Sequence, residues 1–507
     1  MRRVVFALLC ALTISAPTFA AETPIKVGKV RIGIDSLPLS FGNPFRTAQI
    51  PTIYMTSAIF DGLTRIDLDG TLRPWLATQW SSTDAVTWRF TLRDGVVFSN
   101  GTPLTAEAYK VAVDYLASDK SSLEGLTREI PRLKSARVID PLTIEITLVE
   151  PDAQFPRSAA ALPVVEPQEW SRLGRDAFGK APVGTGPYKL VEWQANRAIL
   201  TANDTSWRRP KVRDLELVVI PEASSRAQAL MAGRIDVALG LAPETVKSIE
   251  SEGGQAMRIP TAQVWGWAFV LLRDGKRVEG PLQDKRVRQA MTMAVNRQLI
   301  VDTLLDGAAR VGSQGATAAV YGYNTDIKPF PYDPAAAKKL LADAGYPNGF
   351  TMTVLSTAGA VGADAEIHQR VAADLAVIGI TAEVRSVPIQ QYLQYLSRGT
   401  FPTDAFGMTY PSDPNIDAIR PLRIHSCLRR EPFYCDERIM PKIAAALAAR
   451  DPVEAVKLRR EILAWYHDEA PTLFVYEGVR FVGLGAKVRG FAEAHGVIAY
   501  DQIEFAN

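Results

Sequence analysis

The sequence predicts an α/β protein built from at least two lobes. Its 507 residues exceed the ~250–300 residues at which a single hydrophobic core stops growing, so we expect the chain to divide. Segments with strand periodicity alternate with segments of helical periodicity, which is typical of α/β folds. The hydrophobic fraction of 47% and the charged fraction of 22% are those of an ordinary globular protein, with no signature of disorder.

The first half of the chain alternates between strand and helix patterns. Apolar residues at every second position predict strands, and apolar residues three and four positions apart predict helices. Asp140-Pro141 separates two β-rich runs, and Thr105 is expected to cap a helix that starts at Ala106. The predicted strands are 29–34, 88–95 entering a turn, 135–140, 142–149, 215–220 and 233–240, and the further predicted helices are 52–60 and 225–232.

The second half is richer in helices. Strand 350–355, helix 363–378 and strand 381–387 form one βαβ crossover by pattern. No internal repeat and no low-complexity linker is found, which predicts short, ordered connections between the lobes. The remaining predicted elements are helices 285–305, 334–344, 441–449 and 452–467 and strand 472–476.

The amino terminus predicts export. A basic start, Met1 to Arg3, precedes the apolar run 4–14, and small residues lead to Ala20, after which we expect cleavage. The run is shorter than the roughly 20 residues that span a membrane, so it is interpreted as a signal and not an anchor. A lipoprotein site at Cys10 is disfavoured because the bulky Leu9 precedes it.

The cysteines indicate the redox state of the compartment, and the net charge indicates which classes of partner are not favoured. Of the 3 cysteines, Cys10 would leave with the signal, and Cys427 and Cys435 are predicted to form one local disulfide. Two reduced thiols remain the alternative. A net charge of +2 does not indicate nucleic acid or an anionic membrane as a partner.

Six short motifs follow one another along the chain. They are Asp61–Thr64, Leu92–Gly95 with Phe98–Glu107, Val183–Trp193, Asp284–Ala290, Tyr332–Pro334 with Lys339–Pro347, and Glu469–Pro471. Their order resembles the family 5 solute-binding proteins, the oligopeptide-, dipeptide- and nickel-binding group of ABC importers. The glycines of the third motif are expected to form a tight turn before a strand, because a phosphate-binding loop would need a Lys-Ser/Thr ending. The motifs are therefore interpreted as scaffold.

The resemblance implies a two-lobed periplasmic-binding-protein fold, type II in its large form, with an extra subdomain on the first lobe. Lobe I would hold 21–50, 182–268 and 480–507; the subdomain would hold 51–181; and lobe II would hold 269–479. It also implies a monomeric periplasmic protein without a cofactor that closes around a small ligand, most simply a short peptide, and delivers it to a membrane permease and ATPase complex. A nickel chelate, an opine or another non-peptide solute is the alternative.

Aromatic residues near the inferred lobe junction are candidates for the pocket. Trp265, Trp267 and Phe269 alternate on one predicted strand and would share a face, where they suit varied ligand side chains. A core strand packed on a helix is the alternative. Phe45, in an Asn-Pro-Phe sequence after the first strand, is a second candidate for the pocket rim.

Residues 406–415 resemble the family's pocket loop, in which an aspartate pairs with the ligand's ammonium group. Here Met408 stands where the family usually has Trp, the segment is about one residue short, and the earlier acid is missing. Asp413 is left to receive the amine, although an Asp before Pro also forms turns. Tyr410 is assigned to the pocket with Met408 and Asp413.

Charged residues follow this loop. His425 lies near the position of a histidine that touches the metal complex in nickel-binding members, although a solvated loop histidine is the alternative. Arg420 and Arg423 are candidates for a ligand carboxylate, or are simply solvated.

The sequence contains no Gly-x-Ser-x-Gly, Ser-x-x-Lys or His-Glu-x-x-His motif, so an exported hydrolase is not predicted. We expect no enzymatic activity and no bound metal. A chaperone on the same fold stays open, since fold does not determine function.

Overall fold

The structure is a computed structural model that describes residues 25–46, 50–357 and 363–506. The predicted signal peptide, its cleavage after Ala20 and Cys10 lie outside the described residues. The first part of the chain contains strands β1 (Lys26–Ile34), β2 (Thr64–Ile66), β3 (Leu72–Pro74), β4 (Ala77–Ser81), β5 (Thr87–Leu92), β6 (Leu133–Asp140) and β7 (Thr143–Leu148), and helices α1 (Thr52–Ile59), α2 (Ala106–Ala117), α3 (Leu126–Glu129), α4 (Phe155–Ser158) and α5 (Pro167–Lys180).

The middle part contains strands β8 (Tyr188–Gln194), β9 (Arg197–Ala202), β10 (Val212–Val219), β11 (Val237–Leu241), β12 (Gln255–Phe269), β13 (Leu272–Arg273), β14 (Lys276–Arg277) and β15 (Arg310–Val311), and helices α6 (Ala223–Met231), α7 (Val246–Ser251), α8 (Lys285–Ala294) and α9 (Arg297–Leu304). The last part contains strands β16 (Phe350–Thr357), β17 (Ile380–Val387), β18 (Ala405–Pro411), β19 (Thr472–Leu484), β20 (Val488–Arg489), β21 (Glu493–Ala494), β22 (Val497–Ile498) and β23 (Glu504–Phe505), and helices α10 (Pro334–Asp343), α11 (Asp364–Ala376), α12 (Ile389–Arg398), α13 (Met440–Ala448) and α14 (Pro452–Glu469).

Two long strands connect the lobes. Strands β12 and β19 pair antiparallel from Gln255, opposite Leu484, to Ala268, opposite Thr472. One end of the pair joins β11, β1, β10, β9 and β8, and the other end joins β18, β16 and β17. The pairing slips between Pro260 and Val264, so the two crossing strands are irregular where the lobes meet.

The buried apolar residues form separate cores, as expected for a chain of this length. One cluster joins β1 and β10 to the four-stranded antiparallel sheet β4-β5-β7-β6. Alternation accounts for that small sheet, since Trp88, Phe90 and Leu92 are buried while the residues between them face outward. The second cluster lies around β16, β18, α8 and α11 and contains Trp265 and Trp267.

The Asp-Gly-Leu-Thr motif is scaffold, as predicted. The buried Asp61 carboxylate accepts hydrogen bonds from Trp75 Nε1 at 2.8 Å, Thr185 Oγ1 at 2.8 Å and Trp207 Nε1 at 3.1 Å. It also pairs with Arg208 Nη2 at 2.7 Å. A single carboxylate therefore ties together segments distant in sequence, and each of its oxygens is satisfied.

Most of the predicted elements are confirmed, and one helix is wrong. The βαβ crossover is present, with β16 and β17 paired in parallel and α11 between them. The single helix predicted over 285–305 is two helices, because Val295 adopts an extended backbone and the Asn296 side chain accepts a hydrogen bond from Leu299 N at 3.0 Å, starting a new helix. The predicted Cys427–Cys435 disulfide is confirmed. Within the described ranges, no helix combines the length and apolarity that crossing a membrane requires.

Candidate ligand-binding cleft

A cavity of about 640 Å³, here called the central cavity, lies where the two crossing strands join the lobes. One side of its wall is formed by residues near the ends of β1, α6 and β11, and the opposite side by the start of α11 and by β18. Thr261, Gln263, Trp265 and the segment Tyr476 to Phe481, without Glu477, come from the crossing strands themselves. The cavity is thus bounded by residues of both lobes and of the two strands that connect them.

Of the two candidate tryptophans, only Trp265 lines the central cavity. Its indole stacks on the Tyr476 ring with 5.6 Å between centroids and 20° between planes, so the two rings form an aromatic platform. Trp267 shares the predicted face but is fully buried beneath α11, where its Nε1 donates to His368 Nδ1 at 3.0 Å. Trp267 therefore does not line the central cavity, because a helix covers that part of the face.

Side-chain alternation along β18 also places the residues of the predicted pocket loop on the faces opposite to those predicted. Thr409 pairs with Trp265 across the sheet and lines the central cavity. Met408 and Tyr410 point to the other face, where Tyr410 Oη lies 2.7 Å from Thr472 Oγ1 in the core. Met408 and Tyr410, which the sequence assigned to the pocket, therefore do not line the central cavity.

His425 lies on that buried side as well. Its ring stacks on Tyr410 with 3.6 Å between centroids, and burial lowers the pKa of His425 to about 3. Neither alternative from the sequence, a ligand contact or a solvated loop histidine, describes this fully buried ring. Among the described residues, no group of three or more His, Cys, Asp or Glu side chains is placed to hold a metal ion.

Three further candidates lie away from the central cavity or at its edge. Phe45, the predicted rim residue, is wholly buried between Tyr115 and Trp170 and does not line the central cavity. Arg423 does not line the cavity and acts electrostatically on the buried Asp152 instead. Asp413 is half-buried and accepts a hydrogen bond from Gln263 Nε2 at 3.1 Å, so it contacts a residue of the cavity wall.

The carboxylate that sequence reasoning missed is Asp364, at the start of α11. It lines the central cavity with a relative exposure of 5%, and burial raises its pKa to about 6. Three exposed acids, Asp35, Glu222 and Glu366, share the cavity wall. The motifs could not reveal Asp364, because it lies outside all of them and reaches the cavity only through the packing of α11 on the sheet.

Two arginines bring positive charge to the lobe I side. Arg226 is buried, and its guanidinium donates to the carbonyl oxygens of Leu239 at 2.8 Å and Gly240 at 2.6 Å, which holds this wall in place. Arg480 forms an ion pair with the buried Glu493. The lobe I wall therefore carries both guanidinium groups and the carboxylates of Asp35 and Glu222, whereas the start of α11 carries the carboxylates of Asp364 and Glu366.

A smaller, largely apolar cavity of about 130 Å³, here called the side cavity, lies between α1, β2 and the carboxyl-terminal segment. Pro414, directly after Asp413, forms part of its wall, together with Ile416 and His495. Asp413 thus stands between the two cavities, while its partner Gln263 faces the larger one.

A two-lobed α/β fold with a polar cavity at the crossing strands is an architecture that can enclose a small solute between its lobes. The family model described as bacterial extracellular solute-binding proteins, family 5 Middle, matches residues 71–423. This match covers more than half of the chain. The protein therefore belongs to family 5 of the bacterial extracellular solute-binding proteins, as the motifs had indicated.

Similar proteins include binders of different solutes. The chain is 28% identical over 516 aligned residues to the nickel-binding periplasmic protein of Escherichia coli strain K12, covering 96% of this chain and 94% of that protein. It is 27% identical over 434 residues to the glutathione-binding protein GsiB of Salmonella typhi, covering 82% of this chain and 83% of that protein.

The fold matches solved structures of the same kind. The periplasmic binding protein DppA of Helicobacter pylori, in complex with the peptide STSA, superposes with a TM-score of 0.77 at 22% identity, covering 94% of this chain and 98% of that chain. This similarity supports the two-lobed architecture.

Proposed function

We propose that this protein is the periplasmic solute-binding subunit of an ABC importer and that it captures a short peptide or peptide-like molecule in the central cavity. The observation that carries the proposal is the position of that cavity on the two crossing strands, with walls from both lobes. Closure of the lobes would then enclose the ligand, and the closed form would be presented to the permease. The family supports binding rather than catalysis.

The size and chemistry of the cavity favour a small zwitterionic ligand. Its volume of about 640 Å³ lies within the range of small-molecule sites, which is about 300–1,000 Å³. Carboxylates lie at the start of α11, and the lobe I wall carries arginines as well as carboxylates, so a molecule with an amine and a carboxylate would find a partner for each. The Trp265–Tyr476 platform adds apolar contact that does not select one side chain.

The proposed compartment rests on the amino-terminal pattern and on the names of the relatives. We propose a monomer that starts near Ala21, with the lobe boundaries inferred from the family: 21–50, 182–268 and 480–507 for lobe I, 51–181 for the subdomain, and 269–479 for lobe II. The Cys427–Cys435 disulfide fits an oxidising compartment. The intact mass of secreted protein should equal that of residues 21–507 less two hydrogens; a full-length mass would refute the processing.

A metal chelate is the second candidate. The similarity to the E. coli nickel-binding protein favours it. His425, the residue that the sequence linked to a metal complex, lies on the far side of β18 and is fully buried, so it does not support this candidate.

The ligand and its place can be tested together. Protein purified under native conditions is denatured, and the released compound is identified by mass spectrometry and titrated back by tryptophan fluorescence. We expect saturable binding of one ligand per chain without turnover, and a fluorescence change that disappears in Trp265→Phe. The matched variant Trp267→Phe should keep most of the change, since Trp267 does not line the cavity. A signal that depends on Trp267 instead would place the ligand elsewhere.

A further inference from the structure

Asp364 combines burial with access to the central cavity. We infer that Asp364 receives a cationic nitrogen of the ligand, and that His368 and Trp267 hold its carboxylate in place. This inference rests on the proposed function, because it takes the central cavity to be the ligand site. It assigns the amine to the start of α11 rather than to the loop after β18, where the resemblance had placed it at Asp413.

A chain of side chains fixes the carboxylate. Trp267 Nε1 can only donate, so His368 Nδ1, at 3.0 Å, must accept. In a neutral imidazole the proton then resides on Nε2, which lies 3.5 Å from Asp364 Oδ1. Burial lowers the pKa of His368 to about 4, so the ring stays neutral near pH 7. The neutral ring orients Asp364 without neutralising its charge.

The sheet beneath α11 packs closely against the His368 side chain. A Cβ atom on Gly407 would lie 2.6 Å from His368 Cε1, so the imidazole rests directly on the backbone of β18. The Trp265 ring meets the other side of the imidazole edge-on, with 5.1 Å between centroids. His368 is thus held between β12, β18 and its own helix. Asp364 lies one turn earlier on the same face of α11, so the packing of His368 also fixes where Asp364 lies.

The surroundings of Asp364 match an ammonium or amidinium group. Among the described residues no Lys or Arg forms an ion pair with this carboxylate, and within the protein a hydrogen bond with the Thr357 side chain favours its charged form. A buried carboxylate of this kind is costly unless a cation joins it. The Trp265–Tyr476 platform borders the same space, and aromatic faces attract cations.

The other acids near the cavity are poorer candidates. Asp413 already accepts a hydrogen bond from Gln263, and it is not part of the cavity wall. Asp35, Glu222 and Glu366 are exposed, where water screens a charge pair and makes it weak. Asp364 is the acid whose pairing would be sheltered from solvent.

The groups that face Asp364 predict a pH dependence. Its own helix contributes Glu366 and His368, β19 contributes Tyr476, and α12 contributes Tyr392. Burial raises the pKa of both tyrosines above 10, so they stay neutral between pH 5 and 7.5. The pKa of Asp364 in the unliganded protein is about 6, and only its ionised form attracts the cation. Affinity should therefore be full above that pH and about tenfold lower at pH 5.

The test uses a defined probe, a synthetic pool of di- to tetrapeptides without Lys, Arg or His, and the same pool acetylated at the amino terminus. Bound peptides are quantified by mass spectrometry after rapid gel filtration. We expect wild type to bind the free-amine pool and not the acetylated pool. Asp364→Asn should weaken binding at least about thirtyfold and abolish its pH dependence, because it removes the charge and keeps the size. The matched variant Asp413→Asn should stay within about threefold of wild type.

Trp267→Phe tests the positioning role, because it removes the donor to His368 and keeps an aromatic ring. It should weaken binding several-fold and move the midpoint of the pH profile; an unchanged midpoint would limit Trp267 to packing. Equal capture of both pools, or loss of binding in Asp413→Asn but not in Asp364→Asn, would overturn the inference and leave the proposed function standing. If folded wild type captures neither pool, the peptide proposal itself fails.

Discussion

At the scale of single residues, the alternation of side chains along β18 decided which of them face the central cavity. The sequence identified 406–411 as part of the pocket loop but assigned Met408 and Tyr410, whereas their neighbour Thr409 faces the cavity. A shift of one position reverses every side chain of a strand, and the pattern in this apolar segment does not distinguish the two faces. His425 stacks on Tyr410 and therefore lies on the same buried side of β18.

The buried His425 predicts sensitivity to acid. The pKa is about 3 in the folded protein and 6.5 in the reference state, so the unfolded chain binds a proton that the native chain does not between those values. This contribution to stability is complete above pH 6.5 and is lost as pH falls. His425→Phe keeps the stack on Tyr410 and removes the titration. Between pH 6.5 and 4.5, wild type should lose about 2–3 kcal/mol more than the variant in urea unfolding; parallel pH curves would contradict this.

At the scale of elements, local sequence signals predicted most helices and strands, and caps decided the exceptions. The apolar pattern of 285–305 continues through Val295, but the Asn296 cap divides it into α8 and α9. The strand predicted at 472–476 extends to Leu484, because pairing with β12 and β11 continues beyond the buried run. Strand length depends on partners that lie far away in sequence, which local periodicity does not contain.

The Cys427–Cys435 disulfide should stabilise the loop between β18 and α13. It closes a segment with a sequence separation of 8, for which loop-closure entropy predicts about 2–3 kcal/mol. We expect the double variant Cys427→Ser, Cys435→Ser to lower the free energy of unfolding by up to that amount. Urea unfolding with and without reductant measures it, and the variant serves as its own control because reductant should not affect it. A wild type indifferent to reductant, with two free thiols in native protein, would show that the bond does not form.

At the scale of the whole molecule, the extra subdomain is attached to lobe II as well as to lobe I. Arg157 of α4 donates to the carbonyl oxygens of Asn415 at 2.9 Å and Ile416 at 3.2 Å. The Ala153 amide donates to Leu447 O at 3.0 Å. These contacts hold the segment after β18, so the subdomain supports the part of the side-cavity wall that Pro414 and Ile416 form.

Removing Arg157 should loosen that support. Arg157→Met keeps the aliphatic stem but leaves the carbonyls of Asn415, Ile416 and Gly70 without this donor. We expect a loss of about 2–4 kcal/mol in the free energy of unfolding, since charge-assisted hydrogen bonds to buried groups are lost. Hydrogen exchange in 411–423 should become faster. Arg172→Met, at an exposed Glu169 pair, should leave both measurements unchanged. Unaltered exchange in Arg157→Met would show that lobe II holds the segment alone.

The sequence by itself determined the fold class, the family, the disulfide pair and most of the elements. Each of these follows from local patterns: periodicity, caps, turn residues and short motifs such as the one around Asp61, whose partners are buried scaffold. The tertiary structure decided which residues meet at the cavity. Asp364 and Tyr476 belong to different elements and contact the same space as Trp265 only because α11 packs on β12 and β18. Such proximity depends on the summed packing of distant segments, and no single stretch of sequence encodes it.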